Sequence, residues 1–154
     1  MIQTVTLIEF LRNNHRAFLF CRDELGRPIG YAMQSIGCDA ACLYFTTYAK
    51  SPKVRHLRAD PAAACVVLGQ PDSADPCWAS VRGTADIYWP TAEEIDEMIG
   101  AGTSDGRVPD SVAAGVRDRL ISGKRCVIRL SLDEVCAVRL PAADDESELG
   151  VHAP

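Results

Sequence analysis

Ala17-Phe18-Leu19-Phe20-Cys21, the turn Asp23-Glu24-Leu25-Gly26-Arg27-Pro28, and the run from Ile29 to Ile36 decide the fold. The first five residues are apolar and aromatic-rich, and the run is too short for a helix to be preferred, so it predicts a strand. Asp, Gly and Pro then predict a tight turn, and the next run predicts a returning strand. Gly37 to Ala41 predicts a second turn. Cys42-Leu43-Tyr44-Phe45-Thr46-Thr47 carries the β-branched and aromatic bias of a third strand. Three strands joined by turns make a meander.

Upstream, Thr6 and Glu9 with apolar Leu7, Ile8, Phe10 and Leu11 predict a short helix over Thr6 to Arg12 with a capping-box start. Downstream, Ser51 and Pro52 predict a helix through Lys53 to Arg58 that stops before Asp60-Pro61. Ala62 to Gly69 predicts a strand and Gln70 to Pro76 an exposed loop. Trp78 to Trp89 predicts a long strand, with Gly83 marking a bulge or bend of the kind that curls a sheet.

Thr91, Glu93 and Glu94 begin a predicted helix that ends near Gly100; Ala101 to Pro109 connects; Asp110 caps a helix from Ser111 to Ile121. Arg125 to Leu132 alternates, with Cys126, Ile128, Leu130 and Leu132 facing one way and Val127 as the exception, and Val135 to Leu140 is read as its continuation. About six strands with few short helices predict a mainly β fold, an antiparallel barrel and not a βαβ sheet. No GxGxxG lies between a strand and a helix, so a dinucleotide-binding fold lacks its main sign.

The 154 residues fit one domain, since domains cluster at roughly 100–150 residues. We read residues 1–141 as that domain and 142–154 as an acidic, flexible tail. Hydrophobic residues at 47 % and charged residues at 24 % set disordered and fibrous classes aside. No apolar run approaches the roughly 20 residues of a membrane helix, and the N-terminus shows no basic region ahead of an apolar one, so the expectation is a cytoplasmic protein without a membrane partner. A net charge of −5 argues against a nucleic-acid partner. The seven cysteines are odd in number and show no CxxC, so they read as free thiols without a metal site, Cys38 and Cys42 being the nearest pair.

Positive charge nevertheless concentrates in one place: Lys50, Lys53, Arg55, His56 and Arg58. They follow a strand that ends in Thr46-Thr47 and surround a helix that begins with Ser51. Unpaired N–H donors at such a helix start favour an anion, which the hydroxyls and the Lys50 and Lys53 ammonium groups then share. The competing reading is a solvated basic helix face with the threonines as plain β-formers, and spacing alone favours it.

Across these segments the chain resembles the pyridoxamine-phosphate-oxidase-like, FMN-binding split-barrel superfamily, especially its flavin- and deazaflavin-dependent reductases. The likeness is carried by Gly26-Arg27-Pro28, by Leu43-Tyr44-Phe45-Thr46-Thr47, by the Ser-x-Lys-x-Arg-x-Leu-Arg-x-Asp-Pro run from Ser51 to Pro61, and by Val81-Arg82-Gly83-Thr84-Ala85. Order and spacing agree over roughly residues 15–90. The resemblance implies a six-stranded antiparallel split β-barrel that pairs into a homodimer and holds its cofactor between subunits.

It further implies that Thr46 and Thr47 lie beside the cofactor phosphate with Ser51 and Lys53 as ligands, and that Ala32, Met33, Gln34 and Ser35 run past the ring. Trp78 and Arg82 match a strand contributed by the partner subunit; packing alone and a surface ion pair are their respective alternatives. Lys50 stands where relatives carry a small residue, Pro52 where they carry Arg, and His56 where they carry Asn. The cofactor implied is FMN or coenzyme F420, with a slight lean to the deazaflavin because Lys50, Arg55 and Arg58 extend the positive surface toward an acidic tail. The implied activity is hydride transfer to or from a small organic substrate, and the alternative is a flavin- or haem-binding or sensing module without turnover. His15, His56 and His152 stand apart from any Ser or Cys nucleophile pattern, so the catalytic residues remain unassigned.

Overall fold

The computed structural model describes residues 2–104 and 108–141. Among the described residues seven strands and four helices follow in chain order: α1 (Ile2–Asn13), β1 (Arg16–Arg22), β2 (Pro28–Cys38), β3 (Cys42–Tyr48), α2 (Pro52–Ala59), β4 (Ala62–Leu68), β5 (Trp78–Tyr88), α3 (Ala92–Ser104), α4 (Asp110–Ile121), β6 (Arg125–Ser131) and β7 (Glu134–Arg139). Every pairing is antiparallel. Neighbours run β4-β1-β2-β3-β6-β5, and β4 also pairs with β5, so six strands close a barrel while β7 adds to β5 from outside. The acidic tail expected at 142–154 lies outside the described residues.

Two strands belong to both halves of the barrel, and they explain its shape. β2 pairs with β1 through Gln34, then with β3 from Ser35 onward across a register shift at Ser35/Gly37. β2 and β3 are therefore unpaired toward the Tyr48 end of β3, and the wall opens there. β5 changes partner in the same way, from β7 over Trp78–Arg82 to β6 over Ala85–Tyr88. Gly83 sits at that change. A Cβ on it would stand 1.8 Å from the Ser131 carbonyl oxygen, so only glycine lets the end of β6 approach β5 this closely. The Ser131 hydroxyl then accepts from the Thr84 N–H at 2.9 Å.

Alternation fills the interior: β1 buries Ala17, Leu19 and Cys21, β3 buries Leu43 and Phe45, and β4 buries Ala63, Cys65 and Val67. α1 adds Leu7, Phe10 and Leu11 to this core, and α2 adds Leu57. Each fully buried Leu or Phe contributes about 1.5–3 kcal/mol, which outweighs the modest propensity of helices this short.

Four readings of the sequence are corrected. α1 starts at Ile2, so Thr6 is interior to the helix and does not stand at its start. α3 runs on through Ser104, beyond the Gly100 stop. Pro109, not Asp110, stands at the N-cap of α4, where its fixed φ suits the turn into the helix. Val135 to Leu140 does not prolong β6; the chain turns at Leu132 and Asp133 and returns as β7 along β5. Val127 breaks the alternation because β6 is covered on both faces: Ile128 and Leu130 enter the barrel, while Val127 packs under α3 and α4 with Ile95 and Leu120. No described helix is long and apolar enough to cross a membrane.

Candidate functional site

Where β2 and β3 part, a cleft of about 710 Å³ opens, within the roughly 300–1,000 Å³ range of small-molecule sites. One wall is the outer face of β1 and β2, with Arg16, Phe18, Ala32 and Gln34; the facing wall is Thr46, Tyr48 and Arg125 from β3 and β6. Lys53 enters from α2, and Val108, Pro109, Val112 and Val116 form an apolar side at the start of α4.

The polar end is assembled by the strand-to-helix handover. Thr47, the last inward residue of β3, is buried, and its hydroxyl lies 3.4 Å from that of Ser51. Lys53 Nζ donates to Thr47 Oγ1 at 3.2 Å and sits 5.1 Å above the Tyr31 ring. Burial pushes the Lys53 pKa down, and the nearby Arg125 guanidinium pushes the same way. An ammonium in that position is short of negative charge.

Arg125 is the residue that sequence reasoning missed. β3–β6 pairing sets it opposite Tyr48, and its guanidinium lies 4.6 Å over that ring. It donates to Thr46 Oγ1 at 2.9 and 3.2 Å and to the Thr46 carbonyl at 3.2 Å. Arg16 is a second addition. With Lys53, three cations line the cleft, and among its described lining residues there is no carboxylate.

The residues singled out from the sequence divide by place. Met33, Gln34, Thr46, Thr47 and Lys53 line the cleft together, with Ala32, and Ser51 borders it through Thr47. Ser35 faces the barrel interior, buried, its hydroxyl without a hydrogen-bond partner among the described residues. Lys50 is exposed on the turn after β3 and does not line the cleft. Trp78 and Arg82 lie on β5, away from this chain's own cleft: Arg139 sits 5.8 Å over the Trp78 ring, and Arg82 grips Glu134 with two bonds of 2.7 and 2.9 Å. Of the further cations, Arg55 is 4.0 Å from Glu24 and Arg58 stacks on Trp89 at 4.9 Å. All seven cysteines are free.

The chemistry of this donor set suits a phosphorylated, ring-bearing molecule. Hydroxyls and cations converge at one end, and Val108, Pro109, Val112 and Val116 at the start of α4 supply an apolar side beside the strand walls.

Comparison with solved structures finds the same fold in proteins of different biochemistry. A conserved hypothetical protein from Mycobacterium tuberculosis superposes with a TM-score of 0.68 at 20 % identity, over 85 % of this chain and 81 % of that one. An F420 reductase gives 0.62 at 22 %, over 85 % and 94 %. The haem storage protein HutZ of Vibrio cholerae gives 0.65 at 12 %, over 87 % and 93 %. No curated protein matches. The family model for pyridoxamine 5'-phosphate oxidase matches residues 6–138, from within α1 into β7. That span takes in both strands shared between the barrel halves and the cleft they open, and on it the chain belongs to the pyridoxamine 5'-phosphate oxidase family.

Proposed function

We propose that this protein is a flavin- or deazaflavin-dependent oxidoreductase that binds FMN or coenzyme F420 in the β2–β3 cleft, at the contact between two subunits of a homodimer. The observation that carries this is the cleft's charge: Lys53, Arg125 and Arg16 with Thr46 and Thr47, and no carboxylate among its described lining, inside a protein of net charge −5. The cofactor would bring hydride chemistry of its own, to or from a small organic substrate.

The chain's residues hold and shield. Thr47, Ser51 and Lys53 take the phosphate, Arg125 adds charge beside it, and Val108, Val112 and Val116 keep water from the ring. The three cations favour the more acidic deazaflavin slightly over FMN. A haem occupant is less well served, because among the described lining residues there is no histidine to ligate iron.

The homodimer reading rests on the outer face of β1. Phe18 and Phe20 are 42 % and 38 % exposed, and the Phe20 ring lies against Gly30 so closely that a Cβ there would meet it at 2.7 Å. Phe18 also lines the cleft, so a second copy seated on this face completes the cleft's open side. Free thiols throughout fit the reducing cytoplasm.

The test is an absorption spectrum of the purified protein titrated with FMN and with coenzyme F420, followed by reoxidation of the reduced form with small organic acceptors, and light scattering for mass. Saturable binding with turnover in a dimer is expected. Binding without turnover by any acceptor makes it a carrier or sensor; absence of binding to both cofactors removes the proposal.

A further inference from the structure

α2 carries Lys53 into the cleft and, one turn further on, His56 into the protein. His56 is 6 % exposed, and its Nδ1 has no hydrogen-bond partner among the described residues. The nearest acid is Glu24 in the β1–β2 turn, whose Oε1 stands 3.6 Å from that nitrogen, just outside bonding range. Glu24 itself is exposed and held only loosely by Arg55 at 4.0 Å.

The charged groups on the surrounding elements are already engaged. In the turn, Asp23 accepts from Arg27 at 2.9 Å. On β1, Arg22 pairs with Asp60 beyond the end of α2. On β5, Asp86 pairs with Arg129 and Arg82 with Glu134. On α2 itself, Arg58 stacks on Trp89 and Lys53 faces Tyr31. Cys21 and Tyr31, which border this corner, both have their pKa raised, with burial the leading cause, and so stay neutral across the histidine range. Glu24 is left as the counter-ion within reach of His56.

We propose that His56 is a proton-operated positioning residue for the anion site: protonation at Nδ1 closes the gap to Glu24, clamps the β1–β2 turn onto α2, and fixes the helix that presents Lys53. This rests on the cleft reading for its consequence but not for its geometry. A neutral imidazole offers Nδ1 as either donor or acceptor, whereas the cation must donate, and a carboxylate 3.6 Å away is the acceptor that needs the least movement. The added charge and the tethered helix act in the same direction, so anions bind more tightly to the form protonated at His56.

The experiment uses the full chain and two readouts between pH 5.5 and 8. The first is NMR without ligand, following the His56 imidazole and the Glu24 and Lys53 backbone amides in the wild type, Glu24→Gln and His56→Gln. The wild-type amides should track the imidazole, and in Glu24→Gln the Lys53 amide should cease to follow it. The second is sulfate, a dianion throughout this range, titrated against the Lys53 and Thr47 resonances. Its affinity should rise about two- to five-fold from pH 8 to 5.5 in the wild type, the scale of one exposed ion pair, and stay flat in both variants.

A Lys53 amide that tracks the imidazole equally in Glu24→Gln, or a sulfate profile unchanged by that substitution, overturns the proposal. Sulfate that perturbs neither residue at any pH, with the amide coupling intact, instead removes the anion site and the function read from it.

Discussion

Replacing Lys53 by Met separates the cost of assembling the anion site from its use. In the unliganded protein the ammonium gains a hydrogen bond to Thr47 Oγ1 at 3.2 Å and a position 5.1 Å over Tyr31. Those are worth about 1 kcal/mol and about 0.5–1 kcal/mol. Against them stand its burial and the repulsion of Arg125, which together lower its pKa. The two sides nearly offset, and a Met side chain keeps the apolar stem packed, so the stability of the free protein should move by less than about 1 kcal/mol. A bound phosphate changes the balance, because the same ammonium then makes a charge-assisted bond worth about 1.5–3 kcal/mol. Loss of that bond weakens binding by roughly 10- to 150-fold. The assay is a fluorescence titration with FMN and with coenzyme F420, beside urea unfolding of the unliganded variant. A Kd within two-fold of wild type for whichever cofactor binds refutes the reasoning, as does an unliganded variant that unfolds several kcal/mol early.

Lys53 also sets a pH dependence. Its pKa in the free protein lies below the ordinary 10.5, and an anion beside it raises it again. Binding therefore takes up a proton in the window between those two values, so the Lys53 contribution to affinity is complete below it and is lost as pH rises through it; a binding isotherm series in alkaline buffers checks this, and Lys53→Met should lose the fall. Gly83→Ala places a methyl group 1.8 Å from the Ser131 carbonyl oxygen, so strands must separate at the β5 crossing, costing about 3 kcal/mol or more in urea unfolding. Ser35→Ala removes a buried hydroxyl with no partner among the described residues and should stabilise by about 1 kcal/mol with cofactor affinity unchanged, which would take Ser35 out of the site.

The meander and the α2 boundary were legible because their signals are local. A turn rich in Asp, Gly and Pro, then β-branched and aromatic runs, fixes β1 to β3 before any tertiary contact is known. Thr46, Thr47, Ser51 and Lys53 fall within one strand-helix junction, so chain continuity alone brings them together. Arg125 had no such signal. It reaches the cleft only because β6 pairs with β3 in a register that sets it opposite Tyr48, a contact far apart in sequence. The α4 wall was hidden for the same reason, and Val127 looked anomalous because nothing local announces that helices cover the outer face of β6.

Ser35 marks where local reasoning reaches its limit. It follows Gln34 on the same strand, yet Gln34 lines the cleft and Ser35 faces the interior, as period-two alternation requires. Naming four consecutive strand residues as ring contacts therefore asked both faces of β2 to see one ligand. The structure supplies the missing constraint: β2 exchanges β1 for β3 as its partner at Ser35, so Ala32, Met33 and Gln34 before the exchange border the gap, while Ser35 is sealed beneath the β2–β3 pairing. The cleft is thus a consequence of strand length, since an eleven-residue β2 is shared between two partners that each pair with only part of it. Shortening β2 at the Ser35/Gly37 register shift should close the gap between β2 and β3 and abolish cofactor binding while the barrel core is retained, whereas the Lys53 substitution weakens binding with the gap still open.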